Sequence, residues 1–240
     1  MQLHMFRSGS SGNCSLLVSG RTRLLIDAGM GPRVLAKELA LLGLSVRDLT
    51  GAIFTHCHSD HLQGPTLALL GREGVPIHLN AGTWETTQRR LDARHLAPLG
   101  AKAVRLFDRD FTAGELEIRA FPVVHGHPGP LNPAGDPVGF VMTDWADTFG
   151  YCTDIGHVTE TVLEALAPAD LLVLECNHDL EMVRFSARPY PTKQWITSDA
   201  GHLSNPQAAD ALAALLRDRE GVGVILAHLS DQCNTRGLAR

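Results

Sequence analysis

Five times along this chain an apolar run stops on a histidine or an aspartate. "RLLI" leads into Asp27, "GAIFT" into His56, "LEIRAFPVV" into His125, "GYCT" into Asp154 and "GVGVILA" into His228. Runs of this length and composition read as strands buried in a sheet. Where strands alternate with helices, the loops that leave the strands gather along one edge, and residues far apart in sequence build one site on a rigid support. The recurrence constrains the fold before any motif is named: sheets covered by helices, with the polar strand ends sharing an edge. At 240 residues, 44% hydrophobic and 20% charged, the chain can bury a sizeable core, and a single α/β (α+β) domain over residues 1–240 is expected.

The rest of the pattern agrees. Strands are predicted at Gln2–Phe6, Cys14–Val18, Arg23–Ile26 and Ala52–Thr55, with the small-residue loop "SGSSGN" (Ser8–Asn13) after the first. Apolar residues at Val34, Leu35, Leu39 and Leu42 predict a helix over Pro32–Leu44. A second helix, Thr83–Ala93, falls between strands near residues 75–79 and 102–107. Leu116–Val124, Val138–Thr143 and Phe149–Thr153 read as consecutive strands, and the tail alternates: helix Thr159–Leu166, strand Leu171–Glu175, helix Asn205–Arg219, strand Val222–Ala227. Ser204 or Asn205 opens the long helix, with Pro206 in its first turn. The sequence holds no repeat, low-complexity tract or interdomain linker.

"FTHCHSDHLQG" (Phe54–Gly64) concentrates the chemistry. His56 and His58 are two apart, so an extended segment aims both rings to one side and turns Cys57 inward; Asp60 and His61 follow where the chain enters a helix. Imidazole suits zinc, manganese and iron, and carboxylates add harder ligands able to bridge two cations. Seven candidate ligands (His56, His58, Asp60, His61, His125, Asp154 and His228) exceed what one tetrahedral ion needs, so two divalent ions, Zn²⁺ or Mn²⁺, are expected. Asp27 is placed to orient a ligand from behind. The five cysteines (Cys14, Cys57, Cys152, Cys176, Cys233) form no C-x-x-C pair and read as buried thiols.

H-x-H-x-D-H at His56, His58, Asp60 and His61, with "LLIDAG" before it and His, Asp and His at later strand ends, resembles the metallo-β-lactamase fold superfamily. The resemblance spans nearly the whole chain. It implies a four-layered αβ/βα sandwich with a dinuclear site at one edge: His56, His58 and His125 on one ion, Asp60, His61 and His228 on the other, and Asp154 bridging. "GSSGNC" (Gly9–Cys14), "LECNHD" (Leu174–Asp179), "SDAGHLSNPQAA" (Ser198–Ala209) and "LAHLS" (Leu226–Ser230) are similar to the YycJ/WalJ-type branch. That branch is related to tRNA 3′-processing phosphodiesterases and associated with exonuclease action on DNA. The likeness implies 5′-3′ digestion, Asp60 and Asp154 orienting the attacking hydroxide, and His202 donating a proton to the leaving alkoxide. The departure lies after His125, where Gly126 replaces the branch's usual aspartate and a Gly/Pro-rich loop (Pro128–Pro137) is inserted. His127, two residues on, could compete with His125 for its role.

Substrate contacts are expected from Ser11 and Asn13 in "GSSGN", from His178, from Arg188 and Lys193 beside Arg184, and from Ser204 at a helix start. Met182 and Trp195 are expected to pack in the core, and Arg89, Arg90 and Arg94 to form a solvated face. The net charge of -5 gives no global pull toward nucleic acid, so local cations and bound metal must supply it. No apolar run approaches the roughly 18 residues of a membrane span, and no signal peptide is visible; a cytoplasmic protein acting on nucleic acid, most readily DNA, is expected, with homo-oligomerisation left open. The reading is a dinuclear metal-dependent phosphodiesterase, a DNA exonuclease. Its rivals are a small-molecule cyclic phosphodiesterase or thioesterase of the same fold, with the inserted loop narrowing the cleft, and a metal-binding interaction protein without catalysis.

Overall fold

The computed structural model describes residues 1–100, 103–126 and 134–240. It divides into two compact units, Met1–Ile118 with Pro133–Asp136, and Arg119–Asn132 with Pro137–Arg240. Both are built of a sheet and helices.

Unit 1 opens as an antiparallel meander, β1 (Gln2–Arg7), β2 (Cys14–Ser19) and β3 (Thr22–Ile26). Helix α1 (Pro32–Leu41) then crosses to β4 (Gly51–Ile53), α2 (Gly64–Arg72) to β5 (Ile77–Asn80), and α3 (Ala81–Arg90) with α4 (Ala93–Leu96) to β6 (Val104–Phe107). The sheet order is β1-β2-β3-β4-β5-β6, with β3 to β6 mutually parallel. Its core gathers Leu16, Leu25, Leu35, Leu39, Phe54, Leu67 and Ile77. After β7 (Asp110–Ala113), strand β8 (Leu116–Pro122) carries the chain into unit 2.

Unit 2 continues with β9 (Val138–Thr143), β10 (Thr148–Cys152), α5 (Glu160–Leu166), β11 (Leu171–Glu175), α6 (Leu180–Phe185), α7 (Tyr190–Ile196), α8 (Asn205–Leu215) and β12 (Gly223–Ala227). The second sheet has the order β12-β11-β10-β9-β8-β7. β9 and β10 are antiparallel, whereas β10, β11 and β12 run parallel. Phe121, Cys152, Ile155, Val162, Leu166, Leu172, Leu174 and Leu203 form its core.

The predicted strands correspond to β1–β6 and β8–β12 within a few residues, apart from residue 102, which lies outside the described residues. The helices differ more. α1 stops at Leu41, because Leu44 N donates to Leu39 O and Gly43 N to Ala40 O, a Schellman turn that requires Gly43 at φ +71°. α8 ends at Leu215, four residues early. α4, α6, α7 and β7 were not expected, and α2 was expected only as a helix entered after His61, without an extent. α2 buries Gly64, Thr66, Leu67, Ala68 and Leu70, leaving little of the polar stripe that marks a surface helix; the others are one or two turns or four residues long. All five cysteines are buried and free, as expected. Among the described residues no helix is long and apolar enough to cross a membrane.

A methyl group at Gly43 would meet nothing within 4 Å, so its cost is purely the left-handed backbone. Gly43→Ala is expected to lower unfolding free energy by about 1 kcal/mol, and Gly43→Asn by less, read from urea midpoints; an alanine variant as stable as wild type contradicts the Schellman assignment.

Candidate metal centre

In unit 1, β3 and β4 are neighbours in register, Ile26 opposite Ile53, so Asp27 and the segment from Phe54 leave the sheet side by side. Asp27 N donates to Ile53 O at 2.9 Å, and the residue sits fully buried at φ +57°. Its carboxylate accepts from Thr55 N at 2.9 Å, from Thr55 Oγ1 at 2.9 Å and from His61 Nδ1 at 2.7 Å. Thr55 Oγ1 lies 3.0 Å from His56 Nδ1. With Nδ1 of His61 donating to Asp27, its Nε2 carries the lone pair, and the Asn13 amide nitrogen stands 2.9 Å from it. Asp60 Oδ2 is 3.7 Å from the same Nε2, and the His56 ring is 4.6 Å from His58 and 4.1 Å from His61 between centroids.

Three loops meet here backbone to backbone. Asn13 N donates to Asp60 O at 2.7 Å and Gly29 N to Asn13 O at 2.8 Å. A Cβ at Gly29 would fall 1.7 Å from Asp60 O, so only glycine admits this approach. Cys57 N donates to Ala134 O at 3.0 Å, and burial pushes its thiol up to about 11. It stays a protonated, inward residue, as the alternation predicts.

In unit 2 the corresponding support is Glu175, the last residue of β11 and fully buried. Its Oε1 accepts from Asp154 N at 3.2 Å, His202 Nδ1 at 2.9 Å and His228 Nδ1 at 2.7 Å; its Oε2 accepts from Ile155 N at 3.2 Å and Leu203 N at 3.0 Å. Burial by itself pushes this carboxyl up, but His202 and His228 outweigh it and hold the group down, to about 2. Asp154, after β10, and His228, after β12, both take left-handed backbone, φ +56° and +54°, a conformation that costs about 1–3 kcal/mol and gathers at functional sites. His125 Nδ1 is 2.8 Å from Gly201 O. The Nε2 atoms of His125 and His228 each lie 3.6 Å from Asp154 Oδ1.

One rule covers both units. Nδ1 of His56, His61, His125 and His228 is engaged by an oxygen, which fixes tautomer and ring and turns Nε2 outward as the donor a divalent cation needs. In three of the four that Nε2 faces a carboxylate or another imidazole of the set. Ligand atoms of Asp154, Glu175, His202 and His228 lie within 4.8 Å of one another. Both oxygens of Glu175 already accept from N–H donors, which suits it to a supporting role and leaves Asp154 as the candidate ligand. The donor chemistry fits divalent metal in each unit.

The expected substrate residues fall variously. Ser11 is exposed, whereas Asn13 is buried in the loop contacts above. Ser204 is buried and caps α8, its hydroxyl donating to Gln207 Oε1 at 2.7 Å. His178 is fully buried with neither ring nitrogen hydrogen-bonded among the described residues, and burial pulls its imidazole down to about 4. Arg188 and Lys193 are half-buried, just before and on α7. Trp195 and Met182 pack against Val183, Ile196 and Cys233, as expected. His127 and residues 128–133 of the inserted loop lie outside the described residues. The loop's end is pinned, Asp136 O accepting from Asn80 Nδ2 at 2.7 Å at the start of α3. Sequence reasoning missed Glu175 and Thr55. Glu175, the acid that closes "LLVLE", lies inside its strand, whereas the other polar residues follow theirs.

The family model described as a beta-lactamase superfamily domain matches residues 22–224. Exodeoxyribonuclease YycJ of Bacillus anthracis is 31% identical over 243 residues, covering 100% of this chain and 87% of the relative. Exodeoxyribonuclease WalJ of Streptococcus pneumoniae serotype 2 is 32% identical over 235 residues, covering 97% and 82%. The crystal structure of YhfI from Bacillus subtilis, a metallo-beta-lactamase fold protein, superposes with a TM-score of 0.68 at 20% identity, covering 99% of this chain and 89% of that one.

Asp27→Asn and Glu175→Gln each remove the negative charge behind the imidazoles and turn one of two accepting oxygens into a donor. Each is expected to weaken divalent-ion binding by roughly 10- to 100-fold in competition with a chromogenic chelator. Wild-type affinity in both variants contradicts the assignment of these carboxylates as supports.

Proposed function

The chain belongs to the beta-lactamase superfamily domain family and is a metal-dependent hydrolase of metallo-β-lactamase fold, and from that premise we propose that it is a dinuclear phosphodiesterase that digests DNA from an end, in the 5′-3′ direction. The two sets of ligands act as one centre in this reading. His56, His58 and His125 would hold one ion and Asp60, His61 and His228 the other, with Asp154 available to both; Zn²⁺ and Mn²⁺ both suit the mixed imidazole and carboxylate set. Such ions, when bound, supply Lewis acidity toward water and toward the phosphodiester oxygens.

The protein's own groups do the rest. Asp60 and Asp154 orient the attacking water. His202, its Nδ1 held 2.9 Å from Glu175, presents Nε2 as the proton donor to the leaving alkoxide, and Glu175 is the positioning residue that stabilises its imidazolium.

The observation that carries the reading is the shared carboxylate. Glu175 Oε1 binds Nδ1 of both His202 and His228, so one buried oxygen sets the proton donor relative to a metal ligand. An alkoxide, unlike a thiolate, is too basic to leave unaided, which favours a phosphodiester over a thioester. The names of the relatives favour DNA over a small cyclic substrate, and a positioned acid argues against a protein that only binds metal.

On end-labelled single- and double-stranded DNA with Mn²⁺ or Zn²⁺, His61→Ala is expected to abolish cleavage and His202→Ala to slow it by about 10²-fold or more. The His202→Ala defect is expected to shrink against bis(p-nitrophenyl) phosphate, whose leaving group needs no proton. DNA cleavage unchanged in the His202 variant overturns the acid assignment, and hydrolysis of a glutathione thioester but not of DNA overturns the substrate.

A further inference from the structure

We propose that the surface of α6 and α7 is a platform for unpaired nucleic-acid bases and their phosphates, leading single-stranded substrate to the His202 side of the site. The inference rests on the phosphodiesterase reading and narrows its substrate to a strand with an unpaired end. The chain carries a net charge of -5, yet the stretch 180–197 sets Arg184, Arg188 and Lys193 against one acid, Glu181. Among these cations stand two large rings turned to solvent, Phe185 at 74% and Tyr190 at 71% exposure.

Local contacts hold these groups to one surface. Lys193 Nζ donates to Arg184 O at 2.8 Å, tying α7 to the last turn of α6. The Arg184 guanidinium lies 5.4 Å from the Phe185 ring centroid, a cation–π pair that keeps a charge beside the ring. Gln194 Nε2 donates to the Tyr190 hydroxyl at 3.2 Å. Arg188, half-buried between the two helices in sequence, adds a third cation to this stretch. The same α7 reaches the site, since the Trp195 ring is 5.2 Å from His202 and 5.9 Å from His125 between centroids. Rings interleaved with cations match a single strand, whose bases stack on aromatic faces while its phosphates meet Lys and Arg. A duplex keeps its base faces inside the stack and leaves both rings uncovered.

The test is fluorescence anisotropy of the full-length protein with a short phosphorothioate-linked oligothymidylate, which resists hydrolysis, and with a blunt duplex. Phe185→Ala and Tyr190→Ala are each expected to weaken single-strand binding by roughly 5-fold or more and to leave duplex binding unchanged. Lys193→Ala is expected to weaken both and to flatten the salt dependence. Trp145→Ala, which removes an exposed ring elsewhere in unit 2, is expected to change neither. Single-strand binding that survives both ring substitutions, equal losses on single strand and duplex, or no single-strand binding by wild type overturns the platform. Cleavage of end-labelled DNA by wild type against His61→Ala is read separately: intact cleavage with a failed platform removes only this inference, and intact binding without cleavage removes the nuclease reading.

Discussion

A carboxylate stripped of water and set against imidazole Nδ1 atoms organises each half of the molecule. In unit 1 it is Asp27, which binds Thr55 and His61; in unit 2 it is Glu175, which binds His202, His228 and three backbone amides. An isolated buried carboxylate is costly, and each is made tolerable only by the donors aimed at it. Thr55, Asp154 and His228 among those donors follow parallel strands, so the sheets deliver part of the set, and the loops that carry His61, His202 and Leu203 complete it. Three of these positions, Asp27, Asp154 and His228, hold left-handed backbone, so the bonds they make must offset local strain.

Saturation also sorts supports from ligands. Glu175 has no oxygen left to offer, while Asp154 lies 3.6 Å from two Nε2 atoms. The arrangement gives the proposed chemistry its division of labour, with charge and coordination on one layer of groups and tautomer and orientation on the layer behind. The buried thiols stay outside it, Cys152 being pushed well up by burial and by the neighbouring carboxylates of Glu175 and Asp154.

Much of this was legible in the sequence because strand ends carry a signal that short helices lack. An apolar run stopping at Asp27, His56, Asp154 or His228 states both a strand and a polar residue at its end, and the Asp27 carboxylate lies 2.7 Å from His61 Nδ1. Glu175 escaped because it closes a strand instead of following one, although the physics is the same. The extent of α2, though not its start after His61, escaped because most of it is buried, leaving little contrast between faces, and α6 and α7 escaped because one or two turns carry no period. Ser204 shows the opposite limit: a helix-start serine reads equally as a cap or as a ligand for phosphate, and in the fold its hydroxyl donates to Gln207.

The proposal to be tested is a dinuclear hydrolytic centre for DNA. It is tested most directly by titrating metal-free protein with Mn²⁺ or Zn²⁺ while recording ions bound per chain and the rate of release of nucleotides from end-labelled DNA. The account predicts that cleavage rises only as a second ion is taken up, as a two-metal site requires. Full activity with one ion per chain, or two ions bound with no release of nucleotides, would contradict it.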